Sequence, residues 1–183
     1  ELHVNGEPVF VRGMNWIPDD AFPHRITRAQ YQRRIEQAEK MNVNLLRVWG
    51  GGIYEADDFY EIADERGMLT WQDFTLACAA YAEEEPLYSE IEAEARENIV
   101  RLSSHPSLVL WCGNNENYLG YFDWNWQLEL EDKTWGAGYY EELFPALIAE
   151  LNPSRFYIPG SPFSSISDTH PNDPASGTMH IWD

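Results

Sequence analysis

The sequence predicts an α/β fold, a (β/α)8 or TIM barrel of which about six of the eight strands are present. Short apolar runs alternate with amphipathic helical stretches, the pattern of parallel strands joined by crossover helices. Polar and aromatic residues follow each of these runs. A doubly wound open sheet would usually show one glycine-rich phosphate fingerprint after its first strand, and here Gly13 stands alone. A full barrel needs about 250 residues and the chain has 183. Two unpaired parallel edges are costly, so the chain is expected to form one partial barrel domain, residues 1–183, cut from a longer polypeptide.

Asn5-Gly6 is a two-residue hairpin signal between Leu2–Val4 and Val9–Val11, and the second arm runs on through Arg12 to Trp16 as the first barrel strand. Thr27 and Gln30 form a capping-box pattern that opens a helix with Tyr31, Ile35, Ala38 and Met41 on one stripe. Val43–Trp49 is the second strand and stops at Gly50, Gly51 and Gly52. A helix from about Ala56 to Arg66 turns Phe59, Ile62 and Ala63 inward and ends at Gly67.

Met68–Asp73 is the third strand. Ser89 and Glu92 form a second capping box, followed by Ile91, Ala95, Ile99 and Leu102 on one helical face. Leu108–Trp111, between Pro106 and Gly113, is the fourth strand and reads as buried on both faces. An aromatic loop from Tyr118 to Trp135 leads to a helix over about Tyr140–Leu151, which Pro145 must kink or delay. Phe156–Ile158 and Met179–Trp182 are the fifth and sixth strands, with a turn-rich loop over 161–177 between them.

The formal charge of −19 repels phosphate backbones and anionic bilayers, which argues against nucleic-acid and membrane partners. Two of the twelve basic side chains, Lys40 and Lys133, are lysines; the acidic excess fits solubility or a salty habitat. Cys78 and Cys112 are too few for a disulfide framework. No run approaches the roughly 20 apolar residues of a membrane helix. No amino-terminal signal pattern and no glycosylation acceptor is visible, so the compartment stays open with the cytoplasm as default.

The carboxyl ends of parallel strands are where such sheets keep their chemistry. Projected onto that end, Asn15, Trp16, Arg47, Trp49, Asp73, Asn115, Glu116, His180 and Trp182 gather into one pocket. Aromatic faces suit the C–H surface of a pyranose, while amides and carboxylates suit its hydroxyls. Glu116, backed by apolar Leu110 and Trp111, can stay protonated and act as a general acid; an ordinary loop carboxylate is the plainer reading. Arg47 in an apolar strand needs a buried carboxylate, with Asp73 one candidate. Asp73 could instead cap a helix, His180 could be a core histidine, and Trp111 reads as core. The glycines at 50–52 are either a flexible turn or room for a ligand to approach the backbone. The five histidines lack close ligand spacing, so no metal or other cofactor is expected.

These residues lie in motifs that resemble glycoside hydrolase family 2 β-mannosidases. The motifs are Arg12–Pro18, Leu46–Tyr54, Trp71–Phe74, Trp111–Asn117, Gly160-Ser161-Pro162 and Met179–Asp183. The resemblance implies a retaining exo-β-mannosidase that removes terminal β-linked mannose from oligosaccharides. By that likeness Glu116 is the general acid/base, Asn115 holds the sugar 2-hydroxyl, Arg47 orients the nucleophile, and Trp49, Asp73, His180 and Trp124 line the terminal-sugar subsite. The implied nucleophile is a glutamate on a seventh strand, beyond this sequence, so the segment alone is expected to be inactive and to depend on the rest of its parent polypeptide. Related β-galactosidases, β-glucuronidases and exo-β-glucosaminidases, and a non-catalytic carbohydrate-binding segment, are the competing readings.

Overall fold

The structure is a computed structural model and describes residues 2–182. An antiparallel hairpin, β1 (Leu2–Val4) and β2 (Glu7–Val9), turns at Asn5-Gly6, where both residues take positive φ. Five parallel strands then pair in sequence order: β3 (Gly13–Trp16), β4 (Leu45–Val48), β5 (Leu69–Asp73), β6 (Leu108–Cys112) and β7 (Phe156–Ile158). Each new strand is laid beside the last, as right-handed crossovers require.

The crossovers carry helices α1 (Arg28–Lys40), α2 (Asp57–Arg66) and α3 (Leu87–Leu102), with α4 (Asn117–Asp123), α5 (Trp126–Glu129) and α6 (Phe144–Leu151) between β6 and β7. Their apolar stripes cover one face of the sheet. Ile35, Phe59, Ile62, Ile99, Leu102 and Leu147 are buried against Leu46, Val48, Leu108 and Trp111. Trp111 stacks on Phe74 at 5.0 Å, and Phe74 on Phe144 at 3.9 Å. Met41, assigned to the stripe of α1 by spacing, is exposed because it lies at the C-cap, where the chain leaves the helix.

Several expectations need correction. The hairpin's second arm ends at Val9, so β3 is a separate strand rather than its continuation. Thr27 caps α1 without a side-chain hydrogen bond, and the Gln30 amide turns to Asp19 at 3.3 Å. Helix α3 starts at Leu87, so Ser89 lies inside it, bonded to Glu85. Pro145 sits at the start of α6 directly after a π-helical turn over Tyr139–Leu143. Lacking an N–H, proline removes one α-helical bond there, and the Phe144 N–H reaches five residues back to Tyr139 O.

Met179–Trp182 is not a sixth strand. Only Thr178 pairs, in an isolated antiparallel bridge with Phe163. The next backbone groups are taken by a side chain: His180 N donates to Asn172 Oδ1 at 2.7 Å, and Asn172 Nδ2 donates to His180 O at 2.8 Å. Alternation of apolar residues looks like a strand whether the ladder or an asparagine satisfies the backbone.

Candidate active site

Strands alternate their side chains between faces, so Leu46, Val48 and Gln72 point at the helices while Arg47, Trp71 and Asp73 point away from them. Gln72 accepts from Tyr60 of α2 at 2.6 Å, which fixes this parity. Arg47 is buried and donates through Nη2 to Asp73 Oδ2 at 2.8 Å and to Asn115 Oδ1 at 2.9 Å. Its Nη1 approaches Asn15 Oδ1 at 3.4 Å. One guanidinium thus ties together the ends of β3, β4 and β5 and the loop after β6.

Beyond the strand ends, Asn115 forms parallel bridges with Ala77 and with Ser161. The Glu116 N–H donates to Ser161 O at 2.9 Å, and the Asn117 N–H donates to Asn114 Oδ1. Glu116 is held with φ 64°, in the left-handed region that a non-glycine side chain enters at a cost of about 1–2 kcal/mol. The Glu116 side chain therefore leaves the turn toward the open end of the sheet.

There it is 5% exposed and lines a cleft of about 880 Å³. Oε1 lies 2.6 Å from His180 Nδ1 and 2.9 Å from Trp182 Nε1; Oε2 lies 3.6 Å from Cys78 Sγ. Cys78 also has positive φ, and its N–H donates to Asn115 O at 2.9 Å. Burial and the charge of Glu116 push the Cys78 thiol up from its ordinary range. Among the described residues Glu116 is the one carboxylate that lines the cleft. Asn15, Arg47, Trp49 and Asn115 form its floor, and Ile17, Met179, Ile181 and Trp182 its apolar walls.

With this geometry in view, the similarity to known proteins is specific. Over 190 residues the chain is 41% identical to β-mannosidase B of Neosartorya fischeri, an alignment covering 99% of this chain and 22% of that protein. It is 35% identical to the β-mannosidase of Bos taurus over 192 residues, 98% of this chain and 22% of that one. The crystal structure of β-D-mannosidase from Dictyoglomus thermophilum superposes with a TM-score of 0.90 at 45% identity, covering 97% of this chain and 21% of that one.

The chain is homologous to a segment of the β-mannosidases. It spans about a fifth of the length of the relatives it matches. No protein-family model matches it.

Within this β-mannosidase-like segment, Asn15, Arg47, Trp49, Asn115, Glu116, His180 and Trp182 converge on the cleft. Three other residues read as site residues from the sequence do not reach it. Trp16 follows Asn15 in a strand and so faces the other way, packed on Phe59 at 4.8 Å and donating to buried Glu55 at 2.9 Å. Asp73 is wholly buried beneath the floor, its oxygens occupied by Arg47, Trp71 Nε1 and the Gly50 N–H. Trp124 packs against Trp126 at 5.8 Å and is not part of the cleft lining.

The surroundings of Glu116 also differ from the expectation. Its carboxyl meets His180, Trp182 and Cys78, while Trp111 is in the core on the helix side. The glycines at 50–52 serve packing: a Cβ on Gly50 would lie 2.6 Å from Phe74 O, and one on Gly51 would lie 2.0 Å from the Trp49 ring that folds over it. Cys78, Trp71 and Ser161 line the cleft and were not singled out as site residues. For Trp71 and Ser161 the available signal was their place in the motifs Trp71–Phe74 and Gly160-Ser161-Pro162; for Cys78, in the loop beyond the end of β5 at Asp73, no local signal existed.

Proposed function

We propose that this chain carries the acid/base half of the active site of a retaining exo-β-mannosidase, within one partial (β/α)8 barrel domain of a longer polypeptide. The observation that carries this reading is a buried glutamate, Glu116, opening on a large cleft at the carboxyl ends of a parallel sheet, with an asparagine beside it. The Asn115 amide supports the reading further. Arg47 occupies its Oδ1, which leaves Nδ2, now 3.3 Å from the Cys78 sulfur, as the donor for a sugar hydroxyl.

In this mechanism the protonated Glu116 gives its proton to the glycosidic oxygen as the bond from that oxygen to C1 breaks. A second carboxylate attacks C1 from the opposite face and forms a covalent glycosyl ester. Glu116, now ionised, takes a proton from water as the water displaces that ester. The two carboxyl groups must stand about 5–5.5 Å apart; we assign the second to the remainder of the polypeptide. Arg47 holds Asn115 and faces the position the nucleophile takes. Trp49, His180, Trp182 and Asn15 bound the terminal sugar, Asp73 and Trp16 brace the floor from below, and Trp124 is assigned to the outer rim.

Glu116→Gln in the full-length polypeptide tests the reading. The loss in kcat should reach about 10²- to 10⁴-fold and be smaller for nitrophenyl than for alkyl leaving groups. An unchanged rate would favour a non-catalytic carbohydrate-binding role. A panel of nitrophenyl β-glycosides should show mannoside as the fastest substrate; dominant release from a galactoside, glucuronide or glucosaminide would overturn the sugar assignment.

A further inference from the structure

His180 is fixed at every polar atom it has. Nδ1 lies 2.6 Å from Glu116 Oε1, Nε2 lies 2.8 Å from Ser161 Oγ, and its backbone N–H and carbonyl are both held by Asn172. Ser161, His180 and Glu116 therefore form one continuous hydrogen-bonded chain, with Ser161 only 3% exposed.

Serine, imidazole and carboxylate in this order also describe an acyl-transfer triad. Ser161 lacks the donors that chemistry needs: its own N–H is bonded to Asn114 O at 3.0 Å, and the next residue, Pro162, has none. The chain of bonds ends on Glu116 for a different purpose.

Trp182 Nε1 can only donate, and it donates to Glu116 Oε1. An oxygen that accepts from tryptophan is best satisfied as the carbonyl-type oxygen of the acid, which puts the exchangeable proton on Oε2. His180 Nδ1–H then donates to Oε1 as well, and Nε2 must accept, from the Ser161 hydroxyl. We propose that Ser161 is a positioning residue that, by donating its hydroxyl proton to Nε2, holds His180 in the tautomer whose Nδ1–H faces Glu116 Oε1 and so keeps the reactive proton of Glu116 on Oε2. This rests on the reading of Glu116 as the general acid. The titratable and charged groups facing Glu116 are His180, Cys78 and, through Asn115, the Arg47–Asp73 pair.

Without the hydroxyl, Nε2 loses the partner that the structure gives it. The ring is then equally served by the tautomer with Nε2–H, in which Nδ1 accepts the acid proton of Glu116. That draws the reactive proton away from Oε2.

The test uses the full-length polypeptide. Ser161→Ala should move the basic limb of the kcat–pH profile by about one unit and lower kcat about tenfold for alkyl mannosides, with less effect on nitrophenyl mannoside. Ser161→Thr, which keeps the hydroxyl, should restore both. In a His180→Asn background, which retains an N–H near Oε1 but no second ring nitrogen, Ser161→Ala should add nothing further. A Ser161→Ala profile that superposes on the parent's, or an equal shift in the His180→Asn background, overturns the proposal. Glu116→Gln run in parallel separates the two ideas: if it is inactive while Ser161→Ala is silent, only the role of Ser161 fails; if it is fully active, the acid assignment fails and this proposal with it.

Discussion

Asp73 meets Arg47 at two points beneath the cleft, Oδ2 at 2.8 Å from Nη2 and Oδ1 at 3.3 Å from Nε. Asp73 is wholly buried and has no water as an alternative partner, while Arg47 is buried except where it lines the cleft. Such a pair costs desolvation when it forms, and removing one member strands a buried charge. Asp73→Asn should therefore destabilise the fold by about 3–5 kcal/mol, read as a lowered midpoint in urea unfolding. It should also free Asn115 to rotate, so mannoside turnover should fall further than the folded fraction does. Equal losses of both would show that Asp73 supports the sheet alone.

Two glycines separate steric need from backbone freedom. Gly67 ends α2 with φ 65° and has open space where a Cβ would go. Gly67→Ala should cost only the left-handed penalty, about 1 kcal/mol. Gly50 has ordinary φ, yet a Cβ there would meet the Phe74 carbonyl at 2.6 Å and Asp73 Cβ at 3.2 Å. Because a backbone oxygen cannot swing aside, Gly50→Ala should cost about 1–3 kcal/mol or more and displace Trp49. Thermal melts of the two variants check the order; a larger cost at Gly67 would contradict it.

The Cys78 thiol is pushed up by burial and by the neighbouring Glu116 carboxylate. A raised thiol pKa means a small thiolate fraction at neutral pH, and the thiolate is the reactive form. Iodoacetamide should label Cys78 slowly at pH 7, with a rate still climbing past pH 9, above the ordinary thiol range. Glu116→Gln removes this ionisable neighbour and should speed labelling at a given pH. Mass mapping of the modified peptide gives both rates, and rapid labelling near pH 7 in the parent would contradict the raised thiol.

The segment over residues 1–183 expressed alone should show no turnover of nitrophenyl β-mannoside, because a retaining displacement needs two carboxylates and the cleft has one among the described residues. Measurable hydrolysis by the purified segment would mean that Glu116 works by another route, such as direct attack by water.

Much of this molecule was determined by its sequence alone. The strand at Leu108–Cys112, the helices with their inward residues, and the placing of Asn115 and Glu116 at a strand end follow from local periodicity and from glycine and proline punctuation, which act over a few residues. So does the convergence of Arg47 with Trp49, two apart and hence on one face. Tertiary structure alone decided the rest. Trp16 had to face the helices once Asn15 faced the cleft, but which parity wins is set by pairing across β3 and β4. Asp73 sank beneath the floor because three donors from separate segments close on it. The run 179–182 has the alternation of a strand, yet Asn172 takes its backbone bonds, and that leaves His180 and Trp182 free to meet Glu116, 64 and 66 residues away. Contacts at such separations depend on where the whole sheet brings the chain, and no local pattern encodes them.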